Sequence, residues 1–278
     1  MAELDPVARG GLRWWESPSL RREGFVHAFS TRTGGASTGA YASLNLGRAA
    51  PGQGDRPEDV AENHRRFAGA LGVDAASLHR VRQVHGAAVH QARGDGGEHD
   101  ACADALIATE AGHAVMVRTA DCVPVLLACP ACGAVAAVHA GWRGLLQGVL
   151  EAAVAALRSR GAEPGHLLAA IGPCIGPRAF EVGEEVAGAF HAAGLRDAVG
   201  PSPAGGPRPH VDLARATRTV LARAGVHPAR MDGADLCTWR DADAFFSYRR
   251  DGAASGRMAS LIQSRAAAAR TAPPRGIR

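Results

Sequence analysis

The chain has 278 residues, of which 46% are hydrophobic and 21% are charged. These proportions are typical of a globular protein with a packed core, and they argue against a disordered chain. The sequence contains no apolar run of about 18 residues, so we expect no membrane-spanning helix. The first thirty residues lack the apolar core of a secretory signal, and we therefore expect a cytoplasmic protein.

The formal net charge is +4, and the basic residues are scattered along the chain. Nucleic-acid binding requires a basic cluster, so we expect no nucleic-acid partner. All 31 basic residues are arginine. The absence of lysine excludes Schiff-base chemistry, pyridoxal phosphate anchoring and a P-loop lysine. Any anionic ligand must therefore be held by arginine, by backbone N–H groups or by a metal ion.

The first third of the chain is predicted to contain two strands and one helix. Residues 24–30 form a strand pattern, and residues 33–39 form a glycine-rich loop. A helix is predicted from Asp55 or Pro57 to about Leu71, because proline is favoured at the first helical position. Residues 78–90 alternate in part between apolar and polar side chains, which predicts a second strand.

The middle of the chain is predicted to form a buried hairpin followed by a helix. The apolar stretch 115–129 is interrupted at Ala120 and Asp121, and residues 135–139 continue it after a turn. Residues 141–144 then lead into a helix that reaches Arg160, where a following glycine is a plausible stop.

The last third is predicted to contain one more strand at 167–171, helices at 181–193 and 211–224, and late strands at 235–238 and 245–248. Strands and helices interleave, but some strands form hairpins. This favours an α+β or layered α/β fold with a mixed sheet over a doubly wound sheet. We predict a single domain at 24–263, an N-terminal extension at 1–23 and a flexible tail at 264–278.

Three segments place a possible metal ligand beside small or polar residues: QVHG at 83–86, TADC at 119–122 and HAGWRG at 139–144. His85, Cys122 and His139 would give zinc two imidazoles and a thiolate, and would leave one coordination position open. An open position is typical of catalytic rather than structural zinc. The spacing alone is not diagnostic, so the alternative of two half-buried structural histidines and a packing cysteine stays open.

These segments also carry a resemblance that covers about residues 24–263. The chain resembles the bacterial family known as laccase-domain or polyphenol oxidase proteins. The same family is called the peptidoglycan editing factor family, or the purine nucleoside phosphorylase family with adenosine deaminase activity. The matching segments are SLNLG at 43–47, QVHG at 83–86, ADALI at 103–107, TADCVPVLL at 119–127, AVHAGWRG at 137–144, IGPCIGP at 171–177, FEVGEEV at 180–186, and FFSYRRDG with SGR within 245–257.

The resemblance implies one Zn²⁺ held by His85, Cys122 and His139, in a four-layer α/β/β/α fold with mixed sheets. It implies a phosphorylase that cleaves adenosine, inosine, guanosine or S-methyl-5'-thioadenosine with phosphate, and that also deaminates adenosine. The alternative is a peptidoglycan editing amidase that removes L-serine from UDP-N-acetylmuramoyl-L-serine. We expect a monomer with small-molecule substrates.

Two other function classes are less expected. Copper polyphenol oxidation usually requires His-x-His pairs, and the sequence contains none. A zinc-stabilised binding module would not need an open coordination position.

Four further residues are candidates for catalysis. Arg143, at a predicted helix start, is a candidate ligand for phosphate or carboxylate, or an ordinary surface residue. Asp121 is a candidate base or imidazole partner, and it is equally suited to accept a hydrogen bond from a strand-end N–H. Asn45 is a candidate sugar or base ligand, or a turn residue bonded to its own backbone. Cys174 is a candidate nucleophile or a buried thiol.

The pair Cys129 and Cys132 forms a single CxxC, which is weak evidence for a metal site. Pro130 and Gly133 suit a hairpin turn. We therefore predict a turn whose cysteines take no part in catalysis. All six cysteines are expected to be reduced.

Overall fold

Two stacked β-sheets form the centre of the fold. The computed structural model describes residues 2–48 and 54–267. Its strands are β1 (Asp5–Arg9), β2 (Leu12–Glu16), β3 (His27–Ser30), β4 (Leu78–Arg82), β5 (Val89–Gln91), β6 (Gly97–Cys102), β7 (Ala105–Ala108), β8 (Ala114–Thr119), β9 (Val123–Ala128), β10 (Val135–Ala140), β11 (Leu168–Ile171), β12 (Val199–Gly200), β13 (His210–Val211), β14 (Met231–Gly233) and β15 (Met258–Gln263). Its helices are α1 (Pro18–Arg22), α2 (Pro57–Leu71), α3 (Trp142–Leu146), α4 (Val149–Arg158), α5 (Glu184–Ala192), α6 (Leu213–Arg223) and α7 (Tyr248–Asp251).

Both large sheets are mixed. The seven-stranded sheet has the order β1-β2-β3-β15-β8-β4-β6, and the six-stranded sheet has the order β14-β11-β9-β10-β7-β5. In the first sheet, β4 runs parallel to both β6 and β8. In the second, β9 and β10 form an antiparallel hairpin. β12 and β13 pair separately.

Helices cover the outer face of each sheet. Phe67 of α2 packs on the seven-stranded sheet, and Leu150 of α4 packs on the six-stranded sheet together with residues of α5 and α6. Between the sheets, Val117 of β8 and Leu126 of β9 belong to one apolar cluster. These three cores confirm the predicted four-layer α/β/β/α fold, in which β9 is buried on both faces and therefore reads as a continuous apolar run.

The helix at 57–71 follows its predicted bounds. Pro57 occupies the first turn, and Gly72 ends the helix with a left-handed φ of 70°. The single helix predicted up to Arg160 is instead two helices, α3 and α4. Gly148 separates them because its φ of 88° is incompatible with a continuous right-handed helix.

Several predicted strands require correction. The strand predicted at 78–90 is two strands, β4 and β5, that belong to different sheets. The stretch 115–129 is likewise divided, since β8 and β9 lie in different sheets and only β9 and β10 form the hairpin. The break at Ala120 and Asp121 is therefore the point where the chain changes sheet.

The two late strands predicted at 235–238 and 245–248 are wrong. Cys237 forms only an isolated bridge with Cys174. Phe245 and Phe246 are both fully buried, so the segment does not alternate between two faces. Ser247 then caps α7, its Oγ accepting a hydrogen bond from the backbone N–H of Arg250.

Residues 1–23, which the sequence predicts as an extension, contribute two strands and a helix to the fold. Trp14 of β2 lies opposite Ser30 of β3. Ser17 Oγ donates a 2.6 Å hydrogen bond to Asp232 Oδ2, so this segment contacts both large sheets. Of the predicted tail, residues 268–278 lie outside the described residues. Among the described residues, no helix combines the length and apolar character that crossing a bilayer requires.

Candidate metal centre

The three candidate ligands, His85, Cys122 and His139, lie close together at the termini of three strands. His85 lies in the loop after β4, Cys122 directly precedes β9, and His139 lies near the end of β10. The possible ligand atoms of the three side chains lie within 4.8 Å of one another. No other group of three possible ligands meets this condition within the described residues. The structure therefore brings together the three residues that the sequence predicts as ligands.

The backbone at two of these positions adopts a left-handed conformation. His85 has a φ of 58°, and Asp121, immediately before Cys122, has a φ of 93°. Residues other than glycine adopt such values rarely, and the conformation persists only where the surroundings hold it. Asp104 accepts a hydrogen bond from the backbone N–H of His85. The side chain of Asp121 accepts hydrogen bonds from two other segments of the chain. These hydrogen bonds hold the two residues in place.

Asp104, which the sequence analysis did not single out, is a carboxylate in contact with two of the candidate ligands. It is fully buried, and its Oδ1 accepts hydrogen bonds from His139 Nδ1 at 2.7 Å and from the backbone N–H of His85 at 2.9 Å. Its Oδ2 accepts hydrogen bonds from the backbone N–H groups of Val84 and Gly86. One carboxylate thus fixes the His85 loop and keeps the proton of His139 on Nδ1, which leaves Nε2 for a metal.

The charges at the centre suit a cation. Burial raises the pKa of the Cys122 thiol, but His139 and His85 lower it more, to about 6. Burial lowers the pKa of His139, whereas Cys122 and Asp104 raise it, to about 9. The sulfur is therefore a thiolate near neutral pH, which is the form that binds metals.

Gly141 provides the space at the centre. A Cβ atom at this position would lie 2.8 Å from His85 Nδ1 and 2.9 Å from Cys122 Sγ, closer than real Cβ atoms approach other atoms. Three residues further along, a Cβ at Gly144 would lie 2.7 Å from the carbonyl oxygen of Gly86. The two glycines of HAGWRG therefore let α3 approach the His85 loop. The donor set and this space together fit a zinc ion with one open position.

The centre opens into a cavity of about 660 Å³. His85, Cys122 and His139 line it, and among the described residues Asp121 is the one carboxylate that does so. Three aromatic rings also line the cavity, those of Trp142, Phe180 and Tyr248. Its basic side chains are Arg48, Arg82, Arg118, Arg143, Arg249 and Arg257. Six guanidinium groups around one cavity favour an anionic ligand.

Two of the four predicted catalytic residues, Arg143 and Asp121, line this cavity. The Arg143 guanidinium lies 4.6 Å from the centre of the Trp142 ring. Asp121 Oδ1 accepts a hydrogen bond from Thr238 Oγ1, and its Oδ2 accepts one from the backbone N–H of Arg249, each at 2.6 Å. Asp121 therefore holds two other segments of the chain against the cavity wall.

Asn45 and Cys174 are not among the residues that line the cavity. Asn45 Oδ1 accepts hydrogen bonds from the backbone N–H groups of Gly47 and Arg257, which is the turn role that the sequence left open. Cys174 is buried, and its burial raises the pKa of the thiol well above its ordinary value. Such a thiol is a poor nucleophile.

Comparison with known proteins adds independent findings. A family model described as multi-copper polyphenol oxidoreductase laccase matches residues 26–265. A Deinococcus radiodurans protein named purine nucleoside phosphorylase is 42% identical over 252 residues, which are 91% of this chain and 93% of that protein. Purine nucleoside phosphorylase YfiH of Escherichia coli K12 is 41% identical over 248 residues, which are 89% of this chain and 96% of YfiH.

Two solved structures share the fold. YlmD from Geobacillus stearothermophilus is 31% identical, with a TM-score of 0.81 over 95% of this chain and 100% of that chain. The hypothetical protein YfiH of Bacillus licheniformis is 25% identical, with a TM-score of 0.82 over 94% of this chain and 98% of that chain. The chain therefore belongs to the YfiH family, whose family model is described as multi-copper polyphenol oxidoreductase laccase.

Proposed function

We propose that this protein is a zinc-dependent purine nucleoside phosphorylase that also deaminates adenosine. One observation carries the proposal: the convergent set of His85, Cys122 and His139 opens into a cavity lined by six arginines. A phosphorylase must hold a nucleoside and an inorganic phosphate together, and this cavity provides cationic side chains beside a metal centre. The relatives named purine nucleoside phosphorylase support the same activity.

The ligand set favours zinc over copper. Two imidazoles, one thiolate and an open position make up a common catalytic zinc site. A multicopper enzyme needs several histidine clusters, whereas the described residues contain one convergent set. Bound zinc would supply a Lewis acid that polarises a substrate group and acidifies water. Asp104 would hold His139 in the tautomer that a metal requires.

Arg143 is our candidate for phosphate binding. Other arginines of the cavity are already engaged: Arg118 donates two hydrogen bonds to Glu98, and Arg82 donates two to Cys102 Sγ. The contact of Arg143 with the Trp142 ring leaves its N–H groups free, within the described residues, to donate to an anion. A guanidinium binds phosphate through two parallel hydrogen bonds, so Arg143 would orient the attacking phosphate.

A second cavity supports the alternative function, amide cleavage of UDP-N-acetylmuramoyl-L-serine. It has a volume of about 390 Å³ and shares Trp142, Phe180 and Arg249 with the first cavity. Arg208 adds a further cation to its lining. The two cavities together offer more room than a nucleoside needs, and arginines suit a diphosphate.

Product analysis on one preparation tests both functions. Purified protein would be incubated with inosine, with and without phosphate, with adenosine, and with UDP-N-acetylmuramoyl-L-serine. We expect phosphate-dependent formation of hypoxanthine and ribose 1-phosphate, and we expect inosine from adenosine without phosphate. Cys122→Ala should abolish both activities while the circular dichroism spectrum is retained. Release of L-serine with no nucleoside turnover would replace the phosphorylase proposal with the amidase, and full activity of Cys122→Ala would overturn the role of the metal centre.

A further inference from the structure

Tyr248 exposes an aromatic ring in the cavity that contains the candidate ligands. Its exposed fraction is 54%, the largest of the three large hydrophobic side chains that are exposed within the described residues. Phe245 and Phe246, in the same FFSY segment, are fully buried. The segment thus places two aromatic rings in the core and directs the third into the cavity.

The backbone that carries Tyr248 is fixed on both sides. Asp121 Oδ2 accepts a 2.6 Å hydrogen bond from the backbone N–H of Arg249. Ser247 Oγ accepts a 3.2 Å hydrogen bond from the backbone N–H of Arg250. The first contact connects α7 to Asp121, which directly precedes the candidate ligand Cys122. The backbone position of Tyr248 is therefore set relative to the candidate ligands.

A cation lies beside this ring. The Arg257 guanidinium carbon is 5.8 Å from the centre of the Tyr248 ring. Burial lowers the pKa of Arg257, and the nearby charges of Cys122 and Asp121 partly oppose that effect. A planar group stacked on Tyr248 would thus lie beside a guanidinium that lines the same cavity as the candidate ligands.

The other two rings of the cavity are less available. Trp142 and Phe180 are both partly buried. The guanidinium of Arg143 lies 4.6 Å from the Trp142 ring, and that of Arg249 lies 5.2 Å from the Phe180 ring. Tyr248 is more exposed than either of them, at 54%, and the guanidinium beside its ring, that of Arg257, lies further away, at 5.8 Å.

We propose that Tyr248 is the stacking platform for the purine base, and that it thereby sets the affinity for nucleosides. This inference rests on the proposed function. Every base has a π face, so stacking on an aromatic ring tolerates adenine, guanine and hypoxanthine alike. The residue would select for a planar base, while the metal centre and the arginines act on the rest of the substrate.

The test compares Tyr248→Ala and Tyr248→Phe with a matched control, Trp239→Ala. Trp239 is similarly exposed, at 46%, but it is not among the residues that line either cavity. The measurements are KM and kcat for inosine at saturating phosphate, KM for phosphate, and the Kd for inosine without phosphate by titration calorimetry.

We expect Tyr248→Ala to raise KM and Kd for inosine by roughly 5- to 150-fold, the range that removal of one base-stacking ring produces. The value of kcat and the KM for phosphate should change little, because stacking is made equally in the ground and transition states. Tyr248→Phe and Trp239→Ala should behave like the wild type. Unchanged inosine affinity in Tyr248→Ala would overturn the proposal, as would an equal loss in Trp239→Ala.

Calorimetry separates this inference from the proposed function. If the wild type binds inosine but does not cleave it, the phosphorylase proposal fails, and the Kd values of the variants still decide the role of Tyr248. If the wild type binds no purine nucleoside, both proposals fail.

Discussion

Two histidine clusters lie at opposite ends of β4, and their geometries differ. After the strand ends, His85 joins Cys122 and His139 around one point, with possible ligand atoms within 4.8 Å. At the start of β4, His79 lies in a row between two other imidazoles. Its Nδ1 is 2.9 Å from His99 Nε2, and its Nε2 is 2.9 Å from His113 Nδ1. We call these three residues, 79, 99 and 113, the histidine row.

The difference lies in where the nitrogen atoms point. In the histidine row the rings are nearly coplanar, with interplanar angles of 10° and 18°, and each His79 nitrogen faces another imidazole nitrogen. Such rings share protons and have no common point for a cation. At the metal centre, a thiolate and a carboxylate supply negative charge, and the imidazole nitrogens converge. Convergence and charge, rather than the number of histidines, therefore distinguish the candidate metal centre from the histidine row.

The largest expected effect is on metal content. Cys122→Ala should lower bound zinc from about one ion per chain to almost none, because two neutral imidazoles bind the ion far less tightly than a set that includes a thiolate. The matched variant His79→Ala should retain the zinc. Elemental analysis of both purified proteins measures this, and equal zinc loss in the two variants would contradict the distinction.

A smaller loss of metal affinity is expected for Asp104→Asn. The amide lacks the charge that supports the His139 tautomer, and substitutions of such carboxylate partners typically cost about 10- to 100-fold in metal affinity. Competition with a chelator would measure the zinc Kd. Asp100→Asn, at an exposed position, serves as the control. An unchanged Kd for Asp104→Asn would show that the carboxylate only maintains the fold.

Gly141→Ala should also weaken metal binding, because the added methyl group would occupy space beside His85 Nδ1 and Cys122 Sγ. Gly188→Ala is a suitable control, since a Cβ atom there meets nothing within 4 Å. The same chelator competition measures the effect. Equal zinc affinities in the two variants would mean that the His85 loop moves aside at little cost.

The smallest expected effect is on stability in acid. Burial and then the neighbouring His99, His113 and His90 lower the pKa of His79 to about 4 from its ordinary 6.5. As the pH falls, His79 therefore takes up a proton in the unfolded chain before it does so in the folded protein. The free energy of unfolding should decrease as the pH falls from about 6.5 towards 4, because protonation favours the unfolded chain.

We expect the free energy of unfolding to decrease by on the order of 1–3 kcal/mol. The value is given as a range because neighbouring imidazole rings share protons. Denaturant unfolding at pH 7 and pH 5 would measure the loss, and His79→Gln should flatten the pH dependence. Identical pH profiles for wild type and variant would contradict the assignment.

The residue patterns predicted an α+β or layered α/β fold with a mixed sheet and the three candidate ligands, whereas the four-layer arrangement was implied by the family resemblance. Each ligand lies in a short contiguous segment, QVHG, TADC or HAGWRG, so its local pattern is visible without a structure. Asp104 could not be assigned in the same way. Its ADALI segment was visible, but its role depends on accepting hydrogen bonds from two other segments.

The histidine row was missed for a similar reason. His79, His99 and His113 follow no spacing pattern, and they meet only because β4 runs parallel to β6 and β8. The break at Gly148 and the helix at Tyr248 likewise depend on backbone conformations that apolar periodicity does not encode.

Anomalous X-ray diffraction at the zinc and copper absorption edges would identify any metal ion that His85, Cys122 and His139 hold. We expect one zinc peak per chain, within bonding distance of His85, Cys122 and His139, and no peak at the histidine row. A copper signal at the centre, or a metal peak elsewhere with none between these three residues, would contradict it.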